Sequence, residues 1–109
     1  MSEIRVGTED AGRTVEVAAG DRVVIVLPEI GGTGYTWQVE ELPSGAQLAD
    51  EHYEQTGPGI GGMSQHVFVI DPGGGGEFRL KQGRPWLGEE GVIDRYDVTV
   101  AVSGAAPGR

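Results

Sequence analysis

The chain has 109 residues, of which 17 are acidic and 8 are basic, so its formal net charge is -9. This length suits one domain of ~100–150 residues. The negative charge argues against partners that are themselves polyanions, namely nucleic acids and anionic membrane surfaces. The absence of cysteine excludes a disulfide framework, a thiolate nucleophile and a cysteine-based zinc site.

Apolar residues alternate with polar ones over most of the chain, which is the two-residue period of β-strands. In chain order, the segments with this pattern or with a short apolar run are 3–8, 14–17, 21–27, 35–40, 67–70, 77–81 and 96–103. The segment 21–27 is apolar almost throughout, which is typical of a strand buried on both faces or placed in the middle of a sandwich. No segment has the apolar stripe of a helix. We therefore predict an all-β, immunoglobulin-like antiparallel β-sandwich of seven or eight strands over residues 1–102, with a flexible tail over residues 103–109.

Glycine and proline cluster between the predicted strands at intervals of roughly 8–15 residues, the spacing of a sandwich. Three of these turn segments, 28–34, 57–62 and 83–91, are especially rich in glycine or carry aromatic residues. If segment 21–27 is strand B of an immunoglobulin-like sandwich, all three turns emerge at the same end of the sandwich. Binding residues concentrate on loops that a rigid scaffold holds, so this end is the predicted functional end.

The residue types that most often carry catalysis or bind cofactors form no recognisable site in this sequence. Residues 57–62 fit the pattern G-x-G-x-x-G, but a strand-like segment follows where a dinucleotide site needs a helix. His52 and His66 do not have the spacing of a zinc site, and no serine lies in a nucleophile motif. We predict that the chain is not an enzyme and that it binds no metal and no cofactor.

The N-terminal residues are polar and lack the apolar stretch of a signal peptide. No apolar run approaches the ~18–20 residues that a membrane helix needs. We therefore expect no membrane partner and a cytoplasmic protein, or a secreted or periplasmic one if a leader has been removed from the sequence.

The two tryptophans are predicted to lie in different environments. Trp37 follows the strand alternation and is expected in the core. Trp86 follows Arg84-Pro85 in a segment rich in glycine and glutamate, and a loop tryptophan beside an arginine has the composition of an interface hot spot. The alternative from composition alone is that Trp86 folds back as a lid on the core.

Three short motifs lie in order at the predicted functional end. They are Ile30, Gly31, Gly32, Thr33, Gly34 and Tyr35 in the first loop, Gly59, Ile60, Gly61 and Gly62 in the second loop, and Arg84, Pro85 and Trp86 in the third loop. Together they resemble the chagasin family of inhibitors of papain-like cysteine proteases. That family has Asn-Pro-Thr-Thr-Gly followed by Tyr or Phe, then Gly-x-Gly-Gly, then Arg-Pro followed by Trp or Phe. The flanking strands also agree, so the resemblance extends over nearly the whole chain.

The resemblance implies a reversible, non-covalent inhibitor that wedges the three loops into the active-site cleft of a papain-like cysteine protease, the cell's own or a foreign one. Thr33 would cover the catalytic cysteine and histidine. The glycines of the second loop would let its backbone pair with an extended segment of the enzyme, and Trp86 would stack on an aromatic surface of the cleft. We expect a monomer that needs no cofactor and binds neither nucleic acid nor membrane.

The first loop departs from the family pattern at its first three positions. Ile30, Gly31 and Gly32 stand where the family has asparagine, proline and threonine, whereas Thr33, Gly34 and Tyr35 are kept. Because ordering a residue costs ~1–2 kcal/mol, the two additional glycines are expected to weaken binding by about one or two orders of magnitude.

Two other classes of function fit the same pattern of strands. The first is an immunoglobulin-like structural or adhesion module without a protease target, which predicts a buried Trp86. The second is a ligand-binding module for carbohydrate, in which Tyr35 and Trp86 would form a stacking platform. Exposure of Trp86 and contact between the first and third loops distinguish the inhibitor from the structural module.

Overall fold

The computed structural model describes residues 3–30, 34–55 and 63–103, which form two four-stranded sheets. The strands are β1 (Glu3–Val6), β2 (Thr14–Ala18), β3 (Arg22–Ile30), β4 (Thr36–Glu41), β5 (Gln47–Gln55), β6 (Met63–Asp71), β7 (Gly75–Gly83) and β8 (Val92–Ser103), and two 3-10 helices cover Thr8–Asp10 and Pro85–Gly91. The all-β sandwich predicted from the sequence is thereby confirmed. No helix in the described residues has the length and apolar character needed to cross a membrane.

The two sheets are antiparallel except at their N-terminal edge strands. The first sheet has the order β1-β3-β6-β5 and the second has the order β2-β8-β7-β4. β1 pairs with β3 in parallel, and β2 pairs with β8 in parallel. Between β1 and β3 the chain forms β2, which belongs to the second sheet. It then returns to the first sheet, where β3 runs in the same direction as β1.

The core lies between the sheets and is made by the inward-facing residues of their central strands. It contains the buried side chains Val6, Val17, Val23, Ile25, Leu27, Trp37, Phe68, Ile70, Phe78, Leu80, Tyr96, Val98 and Val100. On the outer face of the first sheet, Val24, Val67 and Val69 form a second buried cluster. β3 is therefore central and buried on both faces, as its continuous apolar run predicts.

Several predicted boundaries differ from those of the structure. β3 runs on to Ile30, although the sequence suggests a turn from Pro28. β1 ends opposite Ile25, so Pro28 has a neighbouring strand on one side only, and its missing N–H costs no bond on the other side. Ser103, predicted as the start of the tail, is the last residue of β8 and pairs with Ala18. Residues 104–109 lie outside the described part of the chain.

The strand registers place the strand ends that border the three turn segments at one end of the sandwich. In the first sheet, Ile30 pairs with Met63 and Gln55 pairs with Ser64, so the strand ends that border residues 31–35 and 56–62 lie at the same end of that sheet. In the second sheet, Gly83 pairs with both Thr36 and Val92 at the ends that border residues 31–35 and 84–91. The strand ends that border the three turns therefore share one end of the sandwich, as the sequence predicts, although residues 31–33 and 56–62 lie outside the described part of the chain.

Candidate functional site

The third loop projects Trp86 from the end of the sandwich. Pro85 takes the first position of the 3-10 helix, where its fixed φ is favourable and its missing N–H is not needed. The base of the loop is closed by the Arg84 N–H, which donates to the Gly91 carbonyl at 3.3 Å, and by the Leu87 N–H, which donates to the Arg84 carbonyl at 2.9 Å. The Trp86 side chain is left 69% exposed. It is therefore not a lid on the core.

Gly34 brings the first loop into contact with the third loop. Its φ is +82°, and a Cβ at this position would lie only 2.6 Å from Cη2 of Trp86. A side chain here would strain the backbone and would also push the exposed indole away, so the positive φ is the main reason for glycine. The contact makes the first and third loops neighbours, as the inhibitor hypothesis predicts.

A second contact between these loops joins Tyr35 and Arg84. The Arg84 Cζ atom lies 4.3 Å from the centroid of the Tyr35 ring, which is a cation–π geometry. Arg84 and Tyr35 are both half-buried. The arginine therefore ties the base of the third loop to the end of the first loop, while Trp86 remains exposed beside it.

The remaining predicted site residues are placed only in part. Ile30 is the last residue of β3, and Pro85 is exposed at the start of the 3-10 helix. Gly31, Gly32, Thr33, Gly59, Ile60, Gly61 and Gly62 lie outside the described residues. The structure thus brings together Gly34, Tyr35, Arg84 and Trp86.

Behind this surface, the carboxylate of Glu29 joins the two strands that flank the first loop. Glu29 lies on β3 and is only 7% exposed. Its Oε2 accepts hydrogen bonds from the Trp37 N–H at 2.7 Å and the Thr36 hydroxyl at 3.1 Å, and its Oε1 accepts from the Tyr53 hydroxyl at 2.8 Å. Burial alone would raise the pKa of Glu29, but the hydrogen bonds from Trp37, His66 and Tyr53 outweigh burial and hold its pKa below the ordinary value.

His66 is buried beside Glu29 and contacts a carboxylate through each ring nitrogen. Nδ1 lies 2.8 Å from Glu29 Oε2, and Nε2 lies 2.7 Å from Glu51 Oε2. The imidazole is stacked between the rings of Tyr53 and Phe68, each at a centroid distance of 4.3 Å. An ionised carboxylate accepts hydrogen bonds and donates none, so both contacts are hydrogen bonds when the ring carries both protons.

The described side chains do not form a metal centre. Among the described residues, no group of three or more histidine, cysteine, aspartate or glutamate side chains could hold a metal ion. His52, the other histidine, lies on the exposed edge strand β5 with Asp50 at 3.0 Å and Glu54 at 3.4 Å.

The family is decided by a comparison with sequence models of known families. The model described as "Chagasin family peptidase inhibitor I42" matches residues 16–100, most of the chain. The chain belongs to the chagasin family of peptidase inhibitors. Its members are inhibitors and not enzymes, which agrees with the prediction from the sequence. A comparison with curated protein sequences found no match.

Solved structures with the same fold include three proteins of low sequence identity. The cysteine protease inhibitor EhICP2 from Entamoeba histolytica has a TM-score of 0.74 and 19% identity, with 93% of this chain and 95% of that chain covered. Amebosin, solved in solution, has a TM-score of 0.68 and 23% identity, with coverage of 91% and 96%. PbICP-C, solved in complex with falcipain-2, has a TM-score of 0.60 and 17% identity, with coverage of 94% and 100%. At these identities the likeness shows a shared fold.

The buried contact between Glu29 and His66 of this chagasin-family chain was not predicted from the sequence, although the strand pattern indicates that each of them is buried. Glu29 has the same strand parity as Val23, Ile25 and Leu27, which face the core. His66 precedes the apolar run 67–70 and has the parity of Phe68. An ionisable residue in register with the core positions of its strand is predicted to be buried, so the pattern indicates the burial of each residue but not the contact between them.

Iodide quenching of tryptophan fluorescence checks the environments of the two indoles. The chain has two tryptophans, so a Trp37→Phe variant reports on Trp86 alone and a Trp86→Phe variant reports on Trp37 alone. Because Trp86 is 69% exposed and Trp37 is 4% exposed, we expect strong quenching in the first variant and weak quenching in the second. Equal quenching would contradict the described position of Trp86.

Proposed function

We propose that this chain is a reversible, non-covalent inhibitor of papain-like cysteine proteases that acts with its first, second and third loops on the active-site cleft. Membership of the chagasin family of peptidase inhibitors supports this function. Two proteins of the same fold support the class of target, because EhICP2 is a cysteine protease inhibitor and PbICP-C was solved bound to falcipain-2.

The observation that carries the proposal is the edge formed by Gly34 and Tyr35 of the first loop with Arg84 and Trp86 of the third loop. Trp86 is exposed and its indole lies against Gly34, while Arg84 lies over Tyr35. An edge that is already assembled loses little conformational entropy when it enters a cleft, and this favours tight binding. A large exposed indole at such an edge is the side chain most often found as an interface hot spot.

Each loop has a proposed role in the complex. The first loop, residues 30–35, places Thr33 over the catalytic cysteine and histidine without presenting a bond that is cleaved productively. The second loop, residues 59–62, pairs its glycine-rich backbone with an extended segment of the enzyme, as a substrate strand does. In the third loop, Trp86 stacks on an aromatic surface of the cleft, and Arg84 holds the loop through its contact with Tyr35.

The test is a titration of papain whose active-site concentration is known, with the serine protease trypsin as the control enzyme. We expect saturable, reversible inhibition of papain and no inhibition of trypsin. Recovery of papain activity on dilution distinguishes a reversible inhibitor from a slowly cleaved substrate. The absence of papain inhibition at tens of micromolar inhibitor, or equal inhibition of both enzymes, would overturn the proposed function.

A further inference from the structure

A polar cluster lies at the loop end of the otherwise apolar core. Glu29 continues the inward-facing series of β3, and His66 and Tyr53 pair directly across β6 and β5 on that same face. Within the described residues, every buried side-chain nitrogen and oxygen has a hydrogen-bond partner. We call the side chains of Glu29, Thr36, Tyr53, His66 and Glu51 the Glu29 cluster. It occupies the space directly behind the proposed inhibitory edge.

The Glu29 cluster fixes the separation of two strands that belong to different sheets. Glu29 is one residue from the end of β3 in the first sheet, and Thr36 and Trp37 begin β4 in the second sheet. Both β4 residues donate to the same oxygen, Oε2 of Glu29, the backbone N–H at 2.7 Å and the hydroxyl at 3.1 Å. One carboxylate therefore holds both ends of the connection that carries the first loop.

The carboxylate is in turn fixed from the side of the first sheet. His66 holds Oε2 through Nδ1, and the opposite nitrogen of its ring is held by Glu51. The Tyr53 hydroxyl holds Oε1 and lies 3.3 Å from the Thr36 hydroxyl. With donors on both oxygens, Glu29 cannot rotate without breaking several charge-assisted hydrogen bonds at once.

We infer that Glu29 is a positioning residue for inhibition, which clamps the two ends of the first loop so that Gly34 and Tyr35 meet Trp86 and Arg84. This inference rests on the proposed function, since it assigns to a buried residue the preorganisation that the loop edge needs. The first loop has glycine where the family has proline, so its own sequence restricts it less. The clamp supplies from the core a restraint that the loop sequence lacks.

Glu29→Gln is the decisive variant, because it keeps the size of the side chain and removes its charge and one acceptor. A carboxamide cannot accept from Trp37, His66 and Tyr53 together, because its nitrogen only donates. If one further residue must then be ordered on binding, the inhibition constant for papain rises about tenfold. The constant is measured at a temperature where circular dichroism shows the variant to be fully folded, so lost global stability does not affect it.

Tyr96→Phe is the matched control, because it also deletes a hydrogen bond of a buried side chain, from the Tyr96 hydroxyl to the Gly7 carbonyl at 2.9 Å. This bond touches neither end of the first loop, so the inhibition constant is expected to stay unchanged. Tyr53→Phe removes one donor to Glu29 and should weaken inhibition less than Glu29→Gln. In the double variant Tyr53→Phe/Glu29→Gln, the two increases in the inhibition constant should not add, since both changes act through the carboxylate of Glu29.

Backbone order parameters of Gly34 and Tyr35, measured by nitrogen-15 relaxation, test the clamp without a protease. They are expected to fall in Glu29→Gln and to be unchanged in Tyr96→Phe. If the wild type inhibits papain and Glu29→Gln inhibits equally well, the inference is wrong and the proposed function stands. If the wild type does not inhibit papain, the proposed function fails, and unchanged order parameters would then overturn the clamp as well.

Discussion

Replacing Trp86 by alanine is expected to weaken inhibition of papain by on the order of a hundredfold. The indole is the largest exposed apolar group on the proposed edge, with 69% of its surface accessible. Truncating an aromatic hot spot typically costs about 2–4 kcal/mol of binding free energy, and each ~1.4 kcal/mol is a factor of ten. The loss should appear mainly as faster dissociation, because mutants of one interface differ most in that rate.

The matched control for this prediction is Leu48→Ala. Leu48 is also an exposed apolar residue, with 41% of its surface accessible. It lies near the start of β5, at the end of the sandwich opposite the loops, and pairs with Ile70. Its truncation should leave inhibition unchanged. Equal inhibition by wild type and Trp86→Ala would exclude the third loop from the binding surface, and a loss in both variants would indicate a general effect on folding.

The fold was predictable from the sequence wherever strands are buried on at least one face. The apolar runs of β3 and β6 and the alternation in β8 gave both the strands and their place in the core. β5 was missed because it is an edge strand that pairs only with β6. Its sequence is mostly polar, and Leu48 and Tyr53 are both exposed. Burial creates the alternation, so a strand with little burial leaves a weak pattern.

The candidate site was predictable where local residue types decide the structure. Pro85 and the surrounding glycines indicate a tight turn, but composition left open whether Trp86 is exposed or covers the core, and the structure shows it exposed. The positive φ of Gly34 explains why glycine stands at that position. The Glu29 cluster was not predicted, because its contacts join residues far apart in the chain. Glu29 and His66 are 37 positions apart, and their pairing depends on the register between β3 and β6. That register could be inferred only once the strand ends were known.

Replacing His66 by phenylalanine is expected to lower the free energy of unfolding by about 3 kcal/mol, measured by urea denaturation at neutral pH. Losing a hydrogen bond to a charged group typically costs ~1.5–3 kcal/mol, and the upper end is expected here because the Glu29 carboxylate is left buried with one contact fewer. Phenylalanine keeps a flat ring between Tyr53 and Phe68, so packing is largely preserved and the loss reports on the hydrogen bonds to Glu29 and Glu51. The double variant His66→Phe/Glu29→Gln should lose less free energy of unfolding than the two single variants lose together, because the buried carboxylate is no longer present.

His52→Phe is the matched control, and the pH dependence of the stability loss distinguishes the two variants. Both are flanked by two carboxylates, but His52 is exposed, so its replacement should change stability little. Hydrogen bonds to Asp50 and then Glu54 raise the pKa of His52, so any stability it adds is present below its ordinary value of 6.5 and is lost as pH rises.

The pKa of Glu29 is lowered, so the stability that depends on its charge has the opposite pH dependence. It is present above the ordinary value of 4.5 and is lost as pH falls through the lowered pKa. The loss of stability in His66→Phe should therefore become smaller in acidic solution, because protonation of Glu29 removes the charge that the variant leaves without its partner. In the double variant His66→Phe/Glu29→Gln, the loss of stability should not become smaller in acidic solution, because no carboxylate remains at position 29. Two results would contradict this prediction: a loss of stability in His66→Phe that is unchanged down to pH 3, or one no larger than that of His52→Phe. Either would mean that His66 contributes by packing alone and that Glu29 does not depend on it.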